Sequence, residues 1–448
     1  MKTNRRTFLK TLGGVGLFSI VPRKVLGGTG YIAPSDQLTK GIIGTGGIGM
    51  SASHFSTSEA CRLVAVCDVD KKHLDNAVTQ GKKRFNEDLK AYDDFRDLIS
   101  DPNVDIVHIA TPPHWHALMS IAAAKAGKDI WCEKPMTRTI GEGKAVVEAV
   151  KRYNRIFRLN SWFRFKDTFY GLGTTVQPLK NLVDSGMLGW PLKVVVSGTT
   201  GFTWKFFWVG KENLVPQPVP ANLNYDMWLG PAPKRPFNRN RFHFTFRWFW
   251  DYAGGLMTDW GVHLLDYALY GMNVTAPESI MASGGKFGYP DDACETPDLL
   301  QTIYTFNDFT VMWDHSIGIN DGAYGRSHGL GFVGENGTLV IDRGGWEVIP
   351  ENVNGNKRME AVPLQKSYGG GGLNLHVKNF LECLKARTPE KCNASIQIGA
   401  HIAKFAHLGN IAYRTGKKLT WDGKTFHDKK ADAYLCKEYR APWKLPKV

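Results

Sequence analysis

The stretch Leu38-Thr39-Lys40-Gly41-Ile42-Ile43-Gly44-Thr45-Gly46-Gly47-Ile48-Gly49 decides the fold. Its apolar run breaks into a glycine loop spaced G-x-G-x-x-G, which predicts a strand over Leu38 to Ile43 and a helix opening over Ile48 to Phe55. Unpaired backbone N–H groups and the positive end of a helix would then surround one anion, and the expected anion is a dinucleotide pyrophosphate. Gly44 would make the tight turn and Gly46 would let the ligand approach the backbone, with Gly47 and Ile48 completing the contact. Gly49 would let helix lie close on strand.

The next apolar run, Cys61-Arg62-Leu63-Val64-Ala65-Val66-Cys67-Asp68, ends in a carboxylate 19 residues past Gly49. An acid at that distance meets the adenosine ribose hydroxyls and repels a 2′-phosphate, so Asp68 points to NAD in preference to NADP. Asp70 could share the role, and Arg62 keeps NADP open.

Working outward, 448 residues exceed one core and predict two domains. A hydrophobic content of 43% with 22% charged residues is that of an ordinary globular chain. The net charge of +14 suggests an acidic partner at first. However, Lys2, Arg5, Arg6, Lys10, Arg23 and Lys24 lie in the first thirty residues, which contain no acid, and the remaining +8 is dispersed. With no arginine-rich arm, zinc-finger spacing or stacking module, nucleic acid is not an expected partner.

Asn4-Arg5-Arg6-Thr7-Phe8-Leu9-Lys10, followed by the apolar stretch Thr11 to Val21, resembles a twin-arginine export signal over residues 1–30. The apolar stretch is short for a bilayer span, which favours a signal over an anchor and predicts a periplasmic protein with no stable membrane span after processing. Such signals export folded proteins, so the cofactor is expected to be captured first and held tightly. Seven cysteines show no C-x-x-C pair and no metal spacing; a Cys383–Cys392 bridge is open.

Downstream of Asp68, helices are expected over Val69 to Asn86 and Tyr92 to Ser100. The strand Val104 to Ala110 stops at Thr111-Pro112-Pro113, and an alanine-rich helix runs from His116 to Ala126. The strand Asp129 to Cys132 then delivers Glu133-Lys134-Pro135. This alternation implies a parallel sheet covered on both faces, a Rossmann domain over 36–163.

The glycine loop, Asp68, Ala110-Thr111-Pro112 and Glu133-Lys134-Pro135, in this order, resemble the Gfo/Idh/MocA oxidoreductases, named for glucose-fructose oxidoreductase and inositol dehydrogenase. The likeness continues through Asn160-Ser161-Trp162-Phe163-Arg164-Phe165. It implies cofactor contacts from Gly44, Gly46, Gly47, Ile48, Asp68, Thr111, Pro112, His116, Glu133 and Lys134.

After the junction, a helix is expected over Leu179 to Ser185. Short β-rich runs follow at 192–197, 279–287, 300–306, 309–315, 330–333 and 338–341, separated by turn residues. The expected fold is α/β: the Rossmann sheet plus a C-terminal α+β domain, over 164–420, with a large, mainly antiparallel open sheet. Helices over Leu375 to Leu384 and Ala394 to Tyr413 are expected to return to the nucleotide domain, ahead of an extension over 421–448. The resemblance implies a homo-oligomer formed through the open sheet.

The chemistry is expected in Gly254-Gly255-Leu256-Met257-Thr258-Asp259-Trp260-Gly261-Val262-His263, where Asp259 and His263 fall at i and i+4 on one helical face. The resemblance makes Lys134, Asp259 and His263 the catalytic set. Hydride removal from a secondary alcohol needs a base for the hydroxyl proton, and an imidazole, with an unperturbed pKa of about 6.5, suits it. Lys134 would stabilise the developing charge on the same oxygen. The sequence leaves open which of the two takes the proton.

His114-Trp115-His116 lacks a companion ligand set, so no metal is expected there. The aromatic stretch Phe202 to Trp250, interleaved with Lys205, Arg239, Arg241 and Arg247, suits pyranose faces and hydroxyls. Arg164 and Lys166 join Lys134, Asp259 and His263 as candidate substrate contacts. The expected activity is NAD-dependent oxidation or reduction of a secondary hydroxyl of a sugar or glycoside, C3 favoured by resemblance. The alternatives are a redox-assisted glycoside hydrolase and a non-catalytic sugar-binding relative.

Overall fold

A computed structural model describes residues 37–58, 60–161, 176–198, 214–319, 321–342, 344–366 and 372–448. The leader, Arg164, Lys166 and the aromatic cluster Trp204, Phe206, Phe207 and Trp208 lie outside the described residues.

The nucleotide domain is built on β1 (Leu38–Ile43), β2 (Cys61–Cys67), β3 (Lys90–Tyr92), β4 (Ile106–Ile109), β5 (Asp129–Cys132) and β6 (Phe157–Leu159). Among the described residues these form one sheet in the order β3-β2-β1-β4-β5-β6, parallel throughout. β4 and β5 are buried at every position because helices cover both faces, which is why they read as continuous apolar runs. The helices are α1 (Lys71–Phe85), α2 (Phe95–Ser100), α3 (His116–Lys125) and α4 (Ile140–Arg152). Asp70 caps α1 through the Lys72 N–H, and Thr139 with Glu142 forms a capping box on α4.

The helix expected over Ile48 to Phe55 is a succession of turns instead. Gly49, Ser51 and Ser53 weaken it. The Ser51 and Ser53 hydroxyls hydrogen-bond His54 Nδ1, a local alternative to helical pairing.

The second domain opens with α5 (Val176–Asp184) and β7 (Pro191–Ser197). It continues through α6 (Tyr225–Leu229), α7 (Gly255–Asp259), α8 (Gly261–Met272), β8 (Ser279–Gly285), β9 (Leu299–Thr305) and β10 (Thr310–Ser316). Then come β11 (Gly329–Gly334), β12 (Gly337–Asp342), β13 (Gly345–Pro350), the small hairpin β14 (Asn352–Val353) and β15 (Asn356–Lys357), and β16 (Val362–Lys366). The chain closes with α9 (Gly372–Ala386), α10 (Ile396–Thr415), β17 (Leu419–Thr420) and α11 (Lys429–Asp432).

Among the described residues the large sheet runs β16-β13-β12-β11-β7-β10-β9-β8-β17, antiparallel except where β10 lies parallel to β7. Its core face packs on α8 and α10 through Leu300, Tyr304, Phe332, Leu265 and Phe405. The predicted helix holding Asp259 and His263 is broken at Trp260 into α7 and α8, which open on Gly255 and Gly261 respectively.

The tail returns to the first domain. Leu159 N–H donates to Ala394 O, and His407 Nε2 lies 3.0 Å from Thr137 O. Beyond α11, Trp443 packs edge-on against Trp115, with ring centroids 4.8 Å apart.

Candidate active site

The glycine loop and the segment 227–263 face each other across a cleft of about 730 Å³. Gly44 sits at φ +91°, and a β-carbon there would lie 2.7 Å from Ala110 O. A β-carbon on Gly49 would lie 2.0 Å from Gly44 O, so Gly49 serves the closure of the loop on itself and not helix-on-strand packing. Gly46 and Gly47 line the cleft with open backbone. This is a cradle that a side chain would fill and a pyrophosphate fits.

Asp68 lines the cleft at the end of β2. Its Oδ2 accepts from Thr45 N–H at 2.7 Å, and its Oδ1 from Asp70 N–H at 2.9 Å. The carboxylate is thus fixed against the loop that would hold the phosphates. His73 Nδ1 stands 3.6 Å away, and this contact with Asp68 raises the imidazole pKa. Ile48, Thr111 and Pro112 also border the cleft.

Lys134 follows β5 and reaches the second domain. Its Nζ donates to Asp259 Oδ1 at 2.7 Å and to Asp259 O at 2.9 Å. Arg247 Nε donates to the same Oδ1 at 3.1 Å. His263, buried on α8, lines the cleft with Lys134 and Asp259 despite the helix break. The three predicted catalytic residues therefore share one cavity with the glycine loop.

Two of the expected cofactor contacts are placed differently. His116 lies behind the cleft, fully buried, with Nδ1 2.7 Å from Pro135 O and Nε2 2.8 Å from Thr111 O. It ties the two loops that border the cleft, as the first residue of α3. Glu133 borders the cleft, but its carboxylate turns inward. Oε1 lies 3.0 Å from His108 Nε2 and 3.1 Å from His54 Nε2, and Oε2 accepts from Asn160 Nδ2. Burial pushes the Glu133 carboxyl up, but His54 and His108 outweigh it and hold the group well below the usual range.

This network continues through Arg158, which donates to Asn160 Oδ1 and to His376 Nδ1, and Lys40, whose Nζ donates to His54 O. Glu133 therefore braces the floor of the site. His114 is buried, with Nε2 2.9 Å from Trp228 O. Burial pushes its pKa down to about 3. Trp115 lines the cleft and donates its indole N–H to Met227 O and Trp228 O.

Sequence reasoning gave Arg247 only as one of several interleaved basic residues, and it did not reach His73 or His243. These lie on a helix flank and a 3₁₀ turn with no motif around them. The one signal available was their proximity to Asp68 and to the aromatic stretch.

Residues 38–161 match the model described as the oxidoreductase family, NAD-binding Rossmann fold, and residues 172–312 match the oxidoreductase family, C-terminal alpha/beta domain; both are Gfo/Idh/MocA models. A glycosyl hydrolase family 109 protein of Shewanella pealeana is 28% identical over 266 residues, covering 52% of this chain and 55% of that protein. An inositol 2-dehydrogenase of Salmonella paratyphi B is 34% identical over 161 residues, covering 35% and 44%. The chain thus spans about half the length, or less, of these relatives.

Among solved structures, a levoglucosan dehydrogenase in complex with NADH and L-sorbose superposes with a TM-score of 0.59 at 20% identity, covering 86% of this chain and 99% of that one. An aldose-aldose oxidoreductase from Caulobacter crescentus gives 0.60 at 20% identity, covering 86% and 100%. At such identity the likeness is one of fold. The two domain models, in chain order and together spanning more than half the sequence, establish that the chain belongs to the Gfo/Idh/MocA oxidoreductase family, with an NAD-binding Rossmann domain at its front.

Proposed function

We propose that the protein is an NAD-dependent oxidoreductase acting on a secondary hydroxyl of a sugar or glycoside, C3 favoured, with the cofactor held tightly between turnovers. The observation that carries this reading is the contact of Lys134 Nζ with Asp259 Oδ1 across the domain junction, in a cleft shared with His263 and the glycine loop.

Bound nicotinamide supplies the hydride acceptor or donor. Gly44, Gly46, Gly47 and Ile48 form the pyrophosphate cradle, and Asp68 takes the adenosine ribose. Lys134, an ammonium already committed to a carboxylate and a carbonyl, acts as the donor that stabilises negative charge on the substrate oxygen. His263 is then the base that removes the hydroxyl proton. Asp259 and Arg247 hold Lys134 in place.

The test is a panel of free sugars and pyranosides offered to purified protein while nicotinamide absorbance is followed, with nucleotide content measured after denaturation. Substrate-dependent absorbance change and co-purified nucleotide are expected. Protein that carries no nucleotide and turns over only with millimolar added NAD would refute tight retention, and inertness across the panel would refute the reaction class.

A second reading is a redox-assisted glycosidase, in which transient oxidation acidifies the neighbouring C–H, elimination breaks the glycosidic bond and hydride returns. The family 109 glycosyl hydrolase relatives favour it. Release of aglycone without net nicotinamide change distinguishes the two.

Export through the twin-arginine-type leader accompanies this proposal, since a protein working where free cofactor is scarce gains from retaining its own. Association through the open sheet does too. Met281, Ile349 and Leu364 leave large apolar groups exposed on its strands.

A further inference from the structure

Two groups of metal-ligand side chains converge among the described residues: His54, His108 and Glu133, and Asp70, His73 and His243. The first is wholly buried, with Lys40 and Arg158 adding positive charge beside His108 and Glu133, and its donor atoms are spent on one another. Further cationic charge is unwelcome there. The second stands at the mouth of the cleft and differs on each count.

We propose that Asp70, His73 and His243 form a binding site for one divalent transition-metal ion of the zinc class, joining the two domains beside the adenosine end of the cleft. Asp70 Oδ1 is occupied by the Lys72 N–H at 2.9 Å and by Asn222 Nδ2 at 2.7 Å. Its Oδ2 faces His243 Nε2 at 3.0 Å. His73 lies one turn along α1, its ring centroid 4.5 Å from that of His243. One donor atom from each residue lies within 4.8 Å of the other two.

A tetrahedral ion with bonds of about 2.0–2.1 Å separates neighbouring ligand atoms by roughly 3.3 Å. Asp70 and His243 already meet that spacing, and a modest rotation of the His73 ring brings in the third ligand. The surroundings are those of a metal site. Asp68 stands 3.6 Å from His73 Nδ1, where a second carboxylate would orient a ligating imidazole, and Asn222 fixes Asp70.

Asp68 and Asp70 place two carboxylates beside the two histidines, and among the described residues no Lys or Arg side chain pairs with either. The histidine side chains are 33% and 40% exposed, which admits an ion and leaves water for the remaining coordination. His243 holds φ +54°, a left-handed backbone that non-glycine residues adopt at a cost of about 1 kcal/mol, so its placement toward Asp70 is maintained against strain. Two histidines and a carboxylate suit zinc, nickel or cobalt better than magnesium or calcium.

The test is calorimetric titration of the full-length, nucleotide-containing protein with zinc chloride after chelator treatment, with zinc content measured by atomic emission after gel filtration. One zinc per chain at micromolar or tighter affinity is expected. His243→Ala, His73→Gln and Asp70→Asn should each weaken it by roughly 100-fold. Cobalt-loaded protein should show visible absorption bands that the His73→Gln protein lacks. His73 borders the cleft and is not among the buried residues of α1, so its replacement leaves folding intact. Wild-type protein that takes up no zinc at micromolar concentration, or His73→Gln protein that binds zinc as wild type does, overturns the proposal.

Discussion

The two walls of the cleft are made in different ways. On the nucleotide side, the residues with proposed cofactor or catalytic roles follow the ends of parallel strands: the glycine loop after β1, Asp68 after β2, Thr111 after β4 and Lys134 after β5. On the opposite side, His243, Phe244, Phe246 and Arg247 come from a 3₁₀ turn, and Asp259 and His263 from two helices separated at Trp260. A sheet fixes the first wall through its register; the second depends on tertiary contacts. Arg247, for example, is held between the Phe244 and Phe246 rings, 4.4 and 4.7 Å from their centroids. Position in the first wall is therefore set by where the strands end, and in the second by side-chain packing on an irregular turn and two short helices.

The largest effect should come from acid acting on the histidines that brace both walls. Burial pushes His108, beneath the first wall, and His114, which joins Trp228 of the second, down to about 3, and His315 and His407 down to about 4. An unfolded chain takes up protons on these groups below about pH 6.5 while the folded chain does not. Stability is thus fully present above pH 6.5 and is lost as pH falls toward 4, by about 1.4 kcal/mol per pH unit for each histidine. Urea unfolding at pH 7.5, 6.5 and 5.5 should show little contribution from these groups in the first interval and a steep fall in the second. A flat midpoint from 6.5 to 5.5 would show that the histidines are not buried neutral.

One proposed catalytic residue from each wall gives the next largest effect. Lys134→Ala should lower kcat roughly 10³-fold, and His263→Asn roughly 10²-fold or more, with nucleotide still bound in both. The double variant should cost far less than the product, because both groups act on one oxygen. Additive losses would mean that the walls act at separate points.

The difference between the walls also explains what was legible in the sequence. Glycine spacing, a strand-end acid and Glu133-Lys134-Pro135 identify the first wall because parallel α/β order ties motif to position. Even there, Glu133 and His116 face the interior, since a motif gives where the chain passes and not which way a carboxylate turns; that depends on His54, His108 and Asn160, scattered over a hundred residues. The break at Trp260 was hidden because Gly255 to Met272 keeps helical periodicity through it. His243 and Arg247 sit among aromatic residues whose order carries no period, so nothing local marks them. By contrast, β7 to β12 are punctuated by turn residues and match the expected runs to within two residues, whereas β13, β16, β17 and the short β3 and β6 were not anticipated.

Asp68→Ala should then act on binding alone. Losing a charged acceptor of the ribose hydroxyls costs about 1.5–3 kcal/mol, so NAD affinity should fall at least tenfold while kcat at saturation stays within a factor of a few. Discrimination against NADP should relax, because the carboxylate that repels a 2′-phosphate is gone. Paired affinities for the two nucleotides measure this directly. Unchanged discrimination would show that Asp68 does not meet the adenosine ribose.

The smallest effect, and the one that tests the second wall most directly, belongs to Arg247. Its guanidinium does not line up with the glycine loop or the sheet; it donates to Asp259 Oδ1, which in turn receives Lys134 Nζ. Removing it leaves Asp259 with Lys134 still 2.7 Å away, so the carboxylate retains a cationic partner and the fold should survive. What changes is aim: without the Arg247 guanidinium, Lys134 is drawn more firmly to Oδ1, away from the substrate oxygen. Arg247→Ala should therefore lower kcat by roughly tenfold, about 1.4 kcal/mol, with nucleotide affinity unchanged. Arg247→Lys should recover only part of it, since an ammonium lacks the planar fork that stacks between two rings. A loss confined to KM would instead place Arg247 on the substrate, and would make the second wall a binding surface more than a brace for the first.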